Sequence, residues 1–161
     1  MEGLTSLCVF ISINLFGGFL LGKATKSNIP WYNQLNQPSF RPPNWLFGPV
    51  WTVLYIMIAV AGWRVYMVEG LSSMAMAVYW VQLSLNFVWT LFFFVGRRLF
   101  VALLDIGILW LCIVWCVVVF RPVDVVAAYL LVPYLCWVSF ATCLNAAVWW
   151  LNPRQEQKKT E

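Results

Sequence analysis

Five apolar runs, each long enough to cross a bilayer, dominate the 161-residue chain: Leu4–Gly22, Trp45–Tyr66, Met74–Gly96, Leu99–Phe120 and Val125–Leu151. A hydrocarbon core about 30 Å thick takes about 20 helical residues. The last run is overlong, and Pro133 inside it permits a kink. Alternation at period two is absent, which disfavours a barrel. Composition agrees: 63% of the residues are hydrophobic and 10% charged, against roughly 45–50% and about 25% in a soluble domain. A soluble core of this size cannot hide so much apolar surface. The expected fold is an all-α integral membrane protein, a five-transmembrane-helix bundle forming one domain over residues 1–161, with a long loop at 23–44 and a tail at 152–161.

Much chemistry is excluded. Without histidine there is no imidazole base and no histidine metal site. Of the six acids only Asp105 lies well inside an apolar run, so a paired-carboxylate site is hard to assemble. Asp105 is therefore a functional candidate by default, and a structural ion pair with Arg97 or Arg98 is at least an equal reading. The cysteines Cys8, Cys112, Cys116, Cys136 and Cys143 sit in apolar segments and form no disulfide framework; Cys112 and Cys116, at spacing four, read as small buried hydrophobes and not as a metal site. Neither a metal nor a cofactor is expected. A net charge of +4 without a basic stripe gives no reason to expect nucleic acid.

Charge sets the orientation. Lys23, Lys26, Arg41, Arg97, Arg98, Arg154, Lys158 and Lys159 fall on one side, Arg64 and Arg121 on the other. The positive-inside rule then places the N-terminus outside and the C-terminus in the cytoplasm, in a bacterial cytoplasmic membrane, with an outer membrane as the alternative. The first segment lacks a basic leader and a cleavage site, so it reads as a span and not a signal peptide. Three connections are short and force antiparallel neighbours. The loop at 23–44 holds Trp31, Tyr32, Leu35, Phe40 and four prolines, which suits either a binding lid or a fixed interfacial belt.

Polar residues within the spans mark the inward faces, because amides in hydrocarbon are costly unless they face the bundle interior. Asn14, Gly18 and Gly22 recur at spacing four. Gln82, Asn86 and Trp89 share a face, as do Tyr134, Trp137 and Ala141 with Asn145 a turn further on; Phe47, Trp51 and Tyr55 stack at spacing four. Clustered indoles and phenols around a few amides suit a pocket for a flat aromatic ligand, with interhelical hydrogen bonding as the alternative. In the third helix, Ser73, Ala77 and Ser84, with Val81 between, would let two copies pack as a homodimer; Gly18 and Gly22 offer a rival surface.

These residues also carry a resemblance. Trp31-Tyr32 followed by Gln37-Pro38-Ser39-Phe40-Arg41-Pro42-Pro43-Asn44-Trp45 resembles the signature of the TspO family, the translocator or peripheral-type benzodiazepine receptor proteins. So do Gly48-Pro49-Val50-Trp51 with Leu54-Tyr55, Gln82 through Asn86, Trp89 and Phe92-Phe93-Phe94, and the stretch from Val132 to Asn145. A bacterial-type member is the best match. The resemblance implies a pocket capped by the first loop that binds porphyrins such as protoporphyrin IX, with ligand-binding candidates Trp31, Tyr32, Trp51, Tyr55, Asn86, Trp89, Trp137 and Ala141. It implies a receptor or carrier with a role in tetrapyrrole or stress regulation. The alternatives are a light-dependent porphyrin-degrading enzyme using Trp51 and Trp137 as catalytic residues, and a transporter of sterols or lipids; benzodiazepine-type ligands are further candidates. Two places depart from the pattern: Phe40 stands where the signature has Trp, and Gln37 where it has Lys. The cholesterol motif of animal members is broken by Ala146 and Trp150.

Overall fold

In a computed structural model, which describes residues 2–153, the chain is a bundle of helices with no strand among those residues. The residues 154–161 of the expected tail, with Arg154, Lys158 and Lys159, lie outside the described residues. The helices are α1 (Glu2–Tyr32), α2 (Asn44–Glu69), α3 (Met74–Thr90), α4 (Leu99–Phe120), α5 (Val125–Leu130) and α6 (Val132–Leu151). Five segments, with α5 and α6 counted together, are long and apolar enough to cross a membrane. The chain is an all-α, multi-pass membrane protein.

Local chemistry sets most boundaries. Ser73 caps α3 by accepting from the Met76 N–H at 3.2 Å, and Asp124 caps α5 by accepting from the Ala127 N–H at 2.9 Å. Gly70, at φ 74°, turns the chain out of α2 in a left-handed conformation that costs glycine nothing. The overlong last span breaks at Leu131, and Pro133 sits in the first turn of α6, where its missing N–H leaves no bond unmade. Beyond Thr90, α3 widens into a π-helical turn, Leu91–Val95, with the Gly96 N–H reaching the Leu91 carbonyl at 2.7 Å. Nothing in the sequence announced that turn.

The largest difference from expectation is α1. The run Leu4–Gly22 was expected to end at Lys23 and open a 22-residue loop; the helix instead continues for ten residues, through Pro30, to Tyr32. Lysine ends an apolar run but does not break a helix. Ser27 Oγ donates to the Lys23 carbonyl at 3.0 Å and Asn28 Nδ2 to the Ala24 carbonyl at 2.9 Å, so these polar side chains bond within the helix. The true connection is only 33–43.

That connection is strapped down. Leu35 is buried, and Asn36 exchanges backbone bonds with the Asn152 side chain at 2.9 and 3.0 Å. Arg41 lies 4.7 Å over the Tyr32 ring and donates to the side chains of Asn33 and Asn44.

Helices α1 and α2, α3 and α4, and α4 and α6 form the main packing pairs. A central core around Ile58, Met76, Tyr79, Ile113 and Tyr134 fills the middle of the bundle. A second, smaller core lies under the strapped loop and includes Trp31, Tyr32, Leu35, Phe93, Phe94 and Leu99.

Candidate functional site: an aromatic cavity between α1 and α2

A cavity of about 940 Å³ opens between the second half of α1 and the first half of α2. It is backed by Trp89, Thr90, Phe93 and Phe94 from the end of α3 and by Trp137, Ala141, Leu144 and Asn145 from α6. Drug-sized ligand sites run to roughly 300–1,000 Å³ and are mostly apolar with few polar anchors; this one fits that description at its upper end.

Six of the eight residues singled out from sequence line it: Tyr32, Trp51, Tyr55, Trp89, Trp137 and Ala141. Their order follows from helix geometry. Trp51 and Tyr55, one turn apart on α2, sit with ring centroids 5.4 Å apart, and Trp51 meets Tyr134 edge-on at 6.3 Å. Trp137 is held between Phe47 at 6.0 Å and Phe140 at 5.6 Å.

Donor use separates the indoles. Trp89 Nε1 donates to Asn145 Oδ1 at 3.1 Å, Trp110 to Ser139 at 2.8 Å, and Trp63 to Ser6 and the Gly3 carbonyl at 3.1 Å each. The indole N–H groups of Trp51 and Trp137 have no hydrogen-bond partner among the described residues. Both residues line the cavity, as does Trp45, whose indole N–H likewise has no partner among the described residues.

The other two residues lie elsewhere. Asn86 does not line the cavity; it is buried beneath the floor, where its Oδ1 accepts from the Tyr55 hydroxyl at 2.7 Å and its Nδ2 donates to the Tyr134 hydroxyl at 3.0 Å. It knits α2, α3 and α6 together, the alternative reading of an amide in a membrane. Trp31 belongs to the core under the loop, edge-on to Phe93 at 6.2 Å, with the Arg97 guanidinium 5.3 Å over its ring. Asp105 makes no ion pair among the described residues, and its Oδ2 is buried without a hydrogen-bond partner. The ion pair found is Arg64–Asp124 at 2.8 Å, far along the chain from Asp105. Among the described residues no cluster of three metal-ligating side chains occurs.

Sequence reasoning missed Lys23, Lys26, Thr25 and Ile29, all on the cavity lining because α1 does not stop at Gly22. A signal was present: Leu15, Gly18, Gly22, Thr25, Ile29 and Tyr32 continue one helical stripe at alternating spacings of three and four, straight through the charges. Phe93 and Phe94 reach the cavity by way of the π-helical turn, which has no sequence signature. Such turns recur at functional sites.

Fold and site together define a multi-pass membrane protein built around an aromatic-lined cavity between α1 and α2. Comparison with known proteins narrows the class: the TspO/MBR family model matches residues 8–151, and the chain belongs to that family. It is 39% identical to the tryptophan-rich protein TspO of Chlorobaculum tepidum, covering 92% of this chain and 96% of that one. It is 40% identical to the tryptophan-rich sensory protein of Cereibacter sphaeroides, over 76% and 77% of the two chains, and 37% identical to the human translocator protein, over 74% and 73%.

Proposed function

We propose that this chain is a membrane receptor or carrier for porphyrins, binding protoporphyrin IX in the cavity between α1 and α2 as part of tetrapyrrole or stress regulation. One observation carries the reading: an apolar, aromatic cavity of about 940 Å³ with the donors of Trp51 and Trp137 left unpaired at its wall. A flat macrocycle offers faces on which those rings can stack. Titrating the purified protein with protoporphyrin IX tests it through tryptophan quenching. Saturable quenching at micromolar order, about −8 kcal/mol, is expected; none would leave a packing scaffold. With no histidine for an axial bond, metal-free porphyrin should bind more tightly than haem.

A second reading is supported by the same two residues. An indole is a readily oxidised side chain, and electron transfer from Trp51 or Trp137 to the light-excited ring would begin oxygen-dependent breakdown of the porphyrin. Loss of the Soret band under illumination, slowed in Trp51→Phe and Trp137→Phe at unchanged binding, would establish the enzyme. A sterol, lipid or benzodiazepine-type ligand is a weaker third reading, since Ala146 and Trp150 break the sterol motif. Homodimerisation through α3 is supported by exposed Ala77, Val81 and Ser84; Ala77→Leu should reduce the dimer fraction in detergent. The charge asymmetry supports a cytoplasmic C-terminus.

A further inference from the structure

The cavity lining is mostly apolar, and its charged residues are two exposed lysines. Lys23 and Lys26, one turn of α1 apart, both line it, and no acidic residue does. Lys23 Nζ stands 4.5 Å over the Phe19 ring, and neither lysine has a carboxylate partner among the described residues.

Beside them the wall is missing. A Cβ placed on Gly22 or Gly48 would meet nothing within 4 Å, whereas one on Gly18, a turn earlier, would lie 2.4 Å from the Tyr55 ring. So α1 and α2 touch at Gly18 and part beyond it, and the gap they leave runs alongside both ammonium groups. Snorkelling explains an exposed lysine at a membrane surface. It does not require two of them to line an opening into a cavity that holds no counter-charge.

We infer that Lys23 and Lys26 determine specificity: they select ligands that carry carboxylates on one edge of a flat apolar body, which enters through the gap between α1 and α2 and keeps its acid edge at the mouth. The inference rests on the porphyrin reading and names the feature of the porphyrin that is read. A carboxylate at an ammonium makes a charge-assisted hydrogen bond, roughly twice as strong as a neutral one. An esterified edge keeps the shape and loses that bond.

The test is a set of tryptophan-quenching titrations in neutral detergent, free of anionic lipid, with protoporphyrin IX and its dimethyl ester. Wild type should bind the diacid about tenfold more tightly than the ester. Lys23→Gln/Lys26→Gln should bind both alike, with ester affinity within about twofold of wild type; Lys23→Arg/Lys26→Arg should restore the preference. A wild type with no preference, or a preference that survives the Gln pair, overturns the inference and leaves the porphyrin reading standing. Binding of neither compound by wild type overturns both.

Discussion

Helix α1 meets the bundle in opposite ways within two turns. At Gly17 and Gly18 it is pressed against aromatic rings: a Cβ would fall 2.3 Å from Phe87 and 2.4 Å from Tyr55, as one on Gly62 of α2 would from Tyr79. At Gly22 the same residue type faces open space. The first arrangement is how helices associate in lipid, where backbone approach and van der Waals contact replace the hydrophobic effect. The second keeps a wall from forming. The closed half holds α1 to the bundle, and the open half leaves the cavity between α1 and α2.

The comparison breaks most readily at its closed end. Gly18→Leu forces a side chain into the Tyr55 ring and should cost about 3 kcal/mol, at the upper end of overpacking. Gly22→Leu should leave unfolding nearly unchanged, or raise stability slightly through helix propensity. Thermal unfolding of the two variants in one detergent decides it; equal losses would mean that α1 is packed uniformly.

Asn86→Leu comes next. It strips partners from two buried phenols and should lower stability by about 2 kcal/mol, seen as a lower midpoint before any ligand is added. Sequence reasoning placed Asn86 among the ligand contacts. Undiminished stability with weakened porphyrin binding would restore it there.

Trp137→Ala sharpens the contrast from the open side. It removes a wall of the cavity and should weaken porphyrin binding about tenfold, about 1.4 kcal/mol. A midpoint that falls as far as that of Asn86→Leu would make Trp137 a core residue instead.

The smallest effect lies outside both halves, at the Arg64–Asp124 pair. Burial pushes the Asp124 carboxyl up, but hydrogen bonds from Arg64 and the backbone N–H groups of Ala127 and Val126, with the Arg64 charge, outweigh it and hold it below its ordinary 3.8. A carboxyl held down in the fold stabilises the fold above its ordinary value and loses that contribution as pH falls through the folded value. With Arg64 one-third exposed, the pair is worth about 0.5 kcal/mol. Asp124→Asn should therefore lower the midpoint slightly at pH 7 and converge with wild type as the pH falls below the carboxyl's ordinary 3.8 and through its lower folded value; curves that stay parallel throughout acid titration would show that the pair contributes nothing.

What was legible in the sequence was whatever a single helix carries by itself. The spans were legible because run length and bilayer thickness are one measurement, and the inward faces because amides cannot face lipid. The end of α1 is not legible in the charge pattern, because lysine ends an apolar run without ending a helix. Asn86 was correctly turned inward, but its occupation depends on the hydroxyls of Tyr55 and Tyr134, which approach from α2 and α6. Trp31 and Tyr32 are adjacent in one motif, yet only Tyr32 reaches the cavity, because successive helical residues point about 100° apart. The π-helical turn was illegible for a different reason: its extra residue is a property of the hydrogen-bond ladder and has no residue signature.

The Asn36–Asn152 strap joins residues 116 positions apart. Its two ends are made at opposite stages of synthesis, the first soon after α1 emerges and the second only when α6 is complete. At roughly 5–20 residues per second, α1 and the loop spend several seconds or more in the membrane before the strap can close. During that interval the aromatic groove lacks α6, and with it Trp137 and Ala141. The cavity is thus complete only in a finished chain, and a ribosome stalled within α6 leaves a membrane-inserted product with one wall unbuilt.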